Sequence, residues 1–199
     1  HVRPPLMKLP EAEIARLLPV LRRLAGRVRV PLSVDTTRAA VAERALDEGV
    51  AIVNDVSALR YDPGLGAVVA RRGVPLVLMH MRGRSHDMYT HAQYDDVVGE
   101  VGHELAERVE AAVRAGVDPA LLILDPGMGF AKRAPHSYAV LAGLDRLAAL
   151  GRPLLVGASR KSFLAPAARD QAAAGRDWAT AAAVTAAVLA GAHVVRVHR

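Results

Sequence analysis

The 199-residue sequence contains no cysteine. A disulfide framework and a thiolate metal site are thereby excluded, and the composition suits a reducing, cytoplasmic setting. Aromatic residues make up only 4% of the chain, and no dense basic run with interleaved aromatics occurs. The footprint of a nucleic-acid surface is therefore lacking, even though 26 basic against 20 acidic residues leave a formal charge of +6 and a pI near 10.3. Arginines scattered through helix-like segments suit small anionic molecules instead. No apolar run approaches the roughly 20 residues of a membrane span, and no signal peptide is visible, so no membrane partner is expected. Polar linkers are lacking too. At 52% hydrophobic, the chain reads as one domain over residues 1–199 built on one core.

What the sequence does contain is a repeating unit. Residues 10–26 place Ile14, Leu17, Leu18, Leu21 and Leu24 at helical spacing, with Pro19 inside as an expected kink. Strands are then expected at 28–37, 51–53, 75–79, 121–124, 153–156 and 194–197. Each is a short continuous apolar run. Helices are expected between them at 38–48, from 64 to Gly73, at 94–115, 137–150 and 177–189, with Gly49, Gly73, Gly116 and Gly191 as stops. Six strands alternating with helices predict a parallel sheet covered by helices.

Such a series closes into a barrel or stays an open doubly wound sheet. Asp35, Asn54, His80, Asp125, Ser159 and Arg196 all fall at or just beyond the carboxyl end of their own strand. In a barrel those ends meet at one mouth, whereas an open sheet gathers its site at a single crevice. The expectation is an α/β TIM barrel of eight βα units, of which this chain holds about the last six. The shortfall is placed at the amino end, where the first residue is His1. The segment LLVGASRKSF, 154–163, adds a candidate anion site: an apolar run ending at Gly157, then Ser159, Arg160 and Lys161 where a helix is expected to begin.

Six tags, SVDTT, IVNDVSAL, PLVLMHMRG, LDPGMGFAK, VGASRKSF and VVRVH, follow one another on six strand ends. Together they resemble the dihydropteroate synthase family of bacterial folate biosynthesis, from about residue 10 to 198. The resemblance implies a transferase. It joins the methylene carbon of 6-hydroxymethyl-7,8-dihydropterin diphosphate to the amine of 4-aminobenzoate and releases diphosphate, with Mg²⁺ on the diphosphate, sulfonamides as inhibitors and a homodimer packed through late helices near residues 181–190.

The same resemblance implies the roles of residues. Asp125 is the principal pterin carboxylate, with Asn54 and Asp35 as companions; Lys161 bonds the ring from the other side and Arg196 stacks on it. Met79, Val56 and Phe130 form apolar walls, and Gly157 and Val197 also contact substrate. Ser159, Arg160, Arg196 and His198 belong to the anion end. Asp35, Asp125 and Lys161 are the expected catalytic residues. No protein ligand for the metal is assigned, because the family's Asn lies on a strand before those seen here. Departures are Ala131 where the family has Gly, Arg199 where it has Asp, and a doubtful loop remnant at 1–5 that includes Arg3.

Blander readings stand beside these. Asp35 serves equally as a helix N-cap, and Asn54 with Asp55 as a turn pair. His80, His86 and His91 match no metal-ligand spacing. Asp95, Asp96 and Glu100 read as a solvated helix face, and Lys132 and Arg133 as a surface loop. A corrinoid-type pterin methyltransferase and a non-catalytic pterin-binding barrel fragment remain open alternatives.

Overall fold

Period-two alternation governs the sheet. In the computed structural model, which describes residues 10–167 and 172–198, the strands are β1 Ser33–Asp35, β2 Ile52–Asp55, β3 Leu76–Met79, β4 Leu122–Asp125, β5 Leu155–Val156 and β6 Val194–Val195. Val34, Val53, Leu76, Leu78, Leu122, Leu124, Leu154 and Val156 join the helix-facing core. Their neighbours Ser33, Asp35, Ile52, Asn54, Val77, Ile123 and Leu155 line a central cavity of about 480 Å³. Successive side chains of a strand point to opposite faces, so each strand faces the helices and the interior at once.

All pairings are parallel. β1 to β4 lie side by side in chain order, and β5 pairs with β6. The bridge Leu124 to Leu154 and the bond from the Leu124 N–H to the Pro153 carbonyl (2.9 Å) carry the series from β4 to β5. Six parallel strands in chain order, covered on the outside by helices, are six consecutive units of a TIM barrel.

The helices are α1 Pro10–Leu24, α2 Ala39–Asp47, α3 Gly64–Arg72, α4 Val97–Arg114, α5 Ala134–Ala142, α6 Leu144–Ala148 and α7 Asp177–Leu189. Their inner faces supply Ala42, Ala45, Leu65, Val69, Val101, Leu105 and Leu147 to the core. Gly73 stops α3 in the left-handed region at φ 59°, which costs a glycine little.

Two expectations need correction. The strand at 28–37 shrinks to Ser33–Asp35: Pro31 has no N–H to give a ladder, and Val28 and Val30 are exposed. The helix at 137–150 is two helices that start earlier, at Ala134, with Pro135 in the first turn. They divide at Gly143, where a Cβ would lie 2.9 Å from Val98 Cγ2, so the backbone approaches α4 too closely for a side chain. Pro19 sits inside a helix that runs on to Leu24. The tags at 1–5, with Arg3, and Arg199 lie outside the described residues.

Candidate active site

Strand alternation sets which polar groups meet. With Ile123 facing inward and Leu124 outward, Asp125 faces inward again. The same count brings Asn54 and Met79 inside, and Asp35 beside Asn54 in direct register. Met79 is opposite Asp125 and fully buried.

Asp125 is 1% exposed. Its Oδ1 accepts the Gly127 N–H at 2.7 Å, while Oδ2 is buried without a hydrogen bond, 3.6 Å from Nη2 of Arg196. Burial pushes the Asp125 carboxyl up; the Gly127 N–H and the charges of Lys161, Arg196 and Lys132 oppose that. Asn54 donates from Nδ2 to Oδ2 of Asp35 (3.0 Å), and its own Oδ1 is buried and unbonded. A buried acceptor without a donor costs about 1–3 kcal/mol. Two of them on one inner face suit a ligand that is rich in N–H donors.

Lys161 Nζ donates to the Met128 carbonyl and stands 4.3 Å from the centre of the Phe130 ring. Burial lowers its pKa to about 8, against the pull of Asp125. Arg196 lies across Gly157, where a Cβ would be 3.0 Å from Nη2; glycine is what lets the guanidinium lie flat there. Ser159 Oγ accepts the backbone N–H of His198 at 3.0 Å and sits 2.9 Å from its Nδ1. Val197 lines the cavity, Phe130 is half-buried beside Lys161, and Val56 is half-buried just beyond β2.

No α-helix begins directly after Ser159, Arg160 and Lys161. Arg160 adopts φ 56°, Lys161 is extended, and only a three-residue turn of 3-10 helix follows, Ser162–Leu164. The Arg160 side chain bonds Asp177 (2.7 and 3.0 Å), and its N–H donates to Thr180 Oγ1 (3.0 Å). The structure thus brings Asp35, Asn54, Met79, Asp125, Phe130, Gly157, Lys161 and Arg196 around one mouth and turns Arg160 toward α7.

Two groups escape sequence reading. Lys132, expected on a surface loop, is 1% exposed and bonds His80 Nδ1 (2.7 Å) and the carbonyls of Phe130 (3.1 Å) and Gly127 (3.3 Å). Burial lowers it to about 7, with Asp125 and Glu104 pulling it back up. Glu100 is not merely solvated, since it bonds Arg82 at 2.7 Å and the N–H groups of Asp95 and Asp96. Asp55 keeps the structural role: buried, it accepts from Ser57 and Leu59. Among the described residues no group of three His, Asp or Glu is placed to hold a metal ion, and no helix is long and apolar enough to cross a membrane.

Residues 3–198 match the family described as pterin binding enzyme. The dihydropteroate synthase of Mycobacterium leprae (strain TN) is 48% identical over 195 residues, which are 95% of this chain and 68% of that protein. The Xanthomonas albilineans dihydropteroate synthase, solved with 7,8-dihydropteroate, superimposes with a TM-score of 0.87 at 41% identity, covering 94% of this chain and 68% of that one. The Yersinia pestis enzyme, solved as a sulfonamide drug complex, gives 0.92 at 36% identity, covering 96% and 69%. The chain spans 68% and 64% of two curated relatives, about two thirds of their length. With six barrel strands and this similarity along nearly all of its residues, the chain belongs to the dihydropteroate synthase family of pterin-binding enzymes.

Proposed function

We propose that this chain carries the pterin half of a dihydropteroate synthase, and that its full protein condenses 6-hydroxymethyl-7,8-dihydropterin diphosphate with 4-aminobenzoate. The observation that carries the reading is the pair of buried, unbonded acceptors, Asp125 Oδ2 and Asn54 Oδ1. A pterin offers the ring N–H and amino donors that would complete both. Lys161 donates to the ring from the facing side, and the Arg196 guanidinium covers its face.

In the reaction the methylene C–O bond breaks with its electron pair leaving on diphosphate. The aminobenzoate nitrogen then bonds the methylene carbon and loses a proton. Positive charge on the pterin methylene is stabilised by ionised Asp35 and Asp125, and the leaving anion by Arg196, Ser159 and His198. No side-chain nucleophile is needed. The described residues do not form a cage for Mg²⁺. An ion held chiefly by diphosphate oxygens suits that donor set, and the protein steps above do not pass through it.

The reading extends to sulfonamides as competitors of 4-aminobenzoate, to a cytoplasmic setting, and to two barrel strands supplied outside the six described. It also extends to a homodimer, supported by exposed Trp178 and Leu189 on α7 and an apolar groove between α5 and α7 lined by Tyr138, Leu141 and Ala186. Sedimentation of the full protein tests the dimer, a monomer at micromolar concentration removing it. Incubation with pterin diphosphate, Mg²⁺ and 4-aminobenzoate tests the function. Dihydropteroate with equimolar diphosphate is expected; tight pterin binding without product replaces the enzyme by a binding barrel.

A further inference from the structure

The turn after β4 is held in an unusual shape. Gly127, Gly129 and Ala131 have φ of 68°, 74° and 49°, three left-handed residues within five. A Cβ on Gly127 would run into the His80 carbonyl oxygen, so the turn is pressed against the end of β3. Ala131 has no glycine freedom, and the left-handed region is unfavourable for such a residue. This turn presents the two groups the site depends on. Its Gly127 N–H holds Asp125 Oδ1, and its Met128 carbonyl receives Lys161.

Lys132 reaches under the turn from inside the wall. A protonated amine has three N–H donors, and Lys132 has three acceptors in reach: the Gly127 and Phe130 carbonyls inside the turn, and His80 Nδ1 just beyond β3. Because Nδ1 accepts, the His80 proton sits on Nε2, which donates to Glu104 Oε2 at 3.1 Å. Glu104 on α4 also accepts from Arg82 Nε at 2.8 Å. A buried ammonium is tolerated only when bonded and balanced, and this chain of contacts does both.

We propose that Lys132 is a positioning residue that, with His80 and Glu104 behind it, clamps the 127–130 turn and so sets the Asp125 carboxylate and the Lys161 ammonium for the pterin. The inference deepens the function proposed above and rests on it. Lys132 and His80 are not among the residues that line the cavity; the charge of Lys132 reaches Asp125 directly, whereas its hydrogen bonds act on the turn.

The test uses the full protein at pH 6, where Lys132 keeps its proton and His80, lowered to about 4 by burial, stays neutral. Lys132→Met is compared with wild type by hydrogen exchange without ligand and by steady-state kinetics. The Phe130 amide, bonded to the Gly127 carbonyl at 3.0 Å, is expected to exchange at least tenfold faster. KM for pterin diphosphate is expected to rise at least tenfold while KM for 4-aminobenzoate stays within twofold, a split that simple loss of folded protein does not give. Exchange or pterin KM within twofold of wild type overturns the proposal. Should Lys132→Met fail to fold, the His80 pair decides: His80→Asn, whose oxygen replaces Nδ1 as acceptor, is expected to keep pterin KM within threefold, and His80→Leu to lose it as above. Equal losses in both overturn the clamp. Wild type that binds no pterin defeats the functional reading instead, and ligand-free exchange tells the two failures apart.

Discussion

Asn54 Nδ2 donates to Asp35 Oδ2 at 3.0 Å across a register that pairs these two residues directly on β1 and β2. The bond fixes which way the Asn54 amide faces, and therefore leaves its Oδ1 turned inward without a partner. Asp35 thus has two tasks, orienting an amide and supplying negative charge at the mouth.

Those tasks separate in Asp35→Asn. The replacement keeps an oxygen acceptor for Asn54 but removes the charge. Pterin affinity measured by calorimetry should change less than about fivefold, while kcat should fall about 100–1000-fold, the usual range for losing one electrostatic stabiliser of a charged transition state. An unchanged kcat would show that the Asp35 charge has no part in the methylene step.

Lys161 makes the site pH-dependent. Burial lowers its pKa to about 8 against the opposing effect of Asp125, and only the protonated amine carries the charge that the pterin end uses. kcat/KM for pterin diphosphate should therefore decline as pH rises through about 7 to 8, as Lys132 and then Lys161 lose their protons. Lys161→Met should lower it about 100-fold and lose the step near 8 while keeping the one near 7. A variant that keeps the step near 8 would assign it to another group.

Glu104 gives the fold an acid limit. Burial raises its pKa, but hydrogen bonds from His80 and Arg82 outweigh this and bring it from 4.5 to about 2. A carboxyl depressed in the folded state stabilises above its unfolded pKa, and that stability is lost as pH falls from about 4.5 toward 2. Urea unfolding of Glu104→Gln should show a loss of about 1–2 kcal/mol at pH 7, allowing for solvent screening, with the two curves converging near pH 2. A constant difference at every pH would mean that packing, not charge, is responsible.

How much of this is legible in sequence follows from what each residue depends on. Asp35, Asn54 and Asp125 end apolar runs, and strand alternation alone carries them inside; their meeting needs only the barrel. Arg160 misleads because Ser-Arg-Lys after a strand reads as a helix start. The left-handed backbone at Arg160 and its bonds to Thr180 and Asp177 come from α7, about 20 residues downstream. Lys132 is illegible for a related reason. A lysine in a Gly-rich loop reads as solvated, and its burial depends on His80, 52 residues earlier. Ala131 offered one signal, since a non-glycine where the resembled family has glycine marks a constrained turn.

The most direct measurement is calorimetric titration of 6-hydroxymethyl-7,8-dihydropterin diphosphate into the full protein and into Asp125→Ala. Removing the buried carboxylate takes away one of the two inward acceptors, so wild type should bind with a clear heat and the variant with none detectable. Near-normal affinity in Asp125→Ala would contradict the account at its centre.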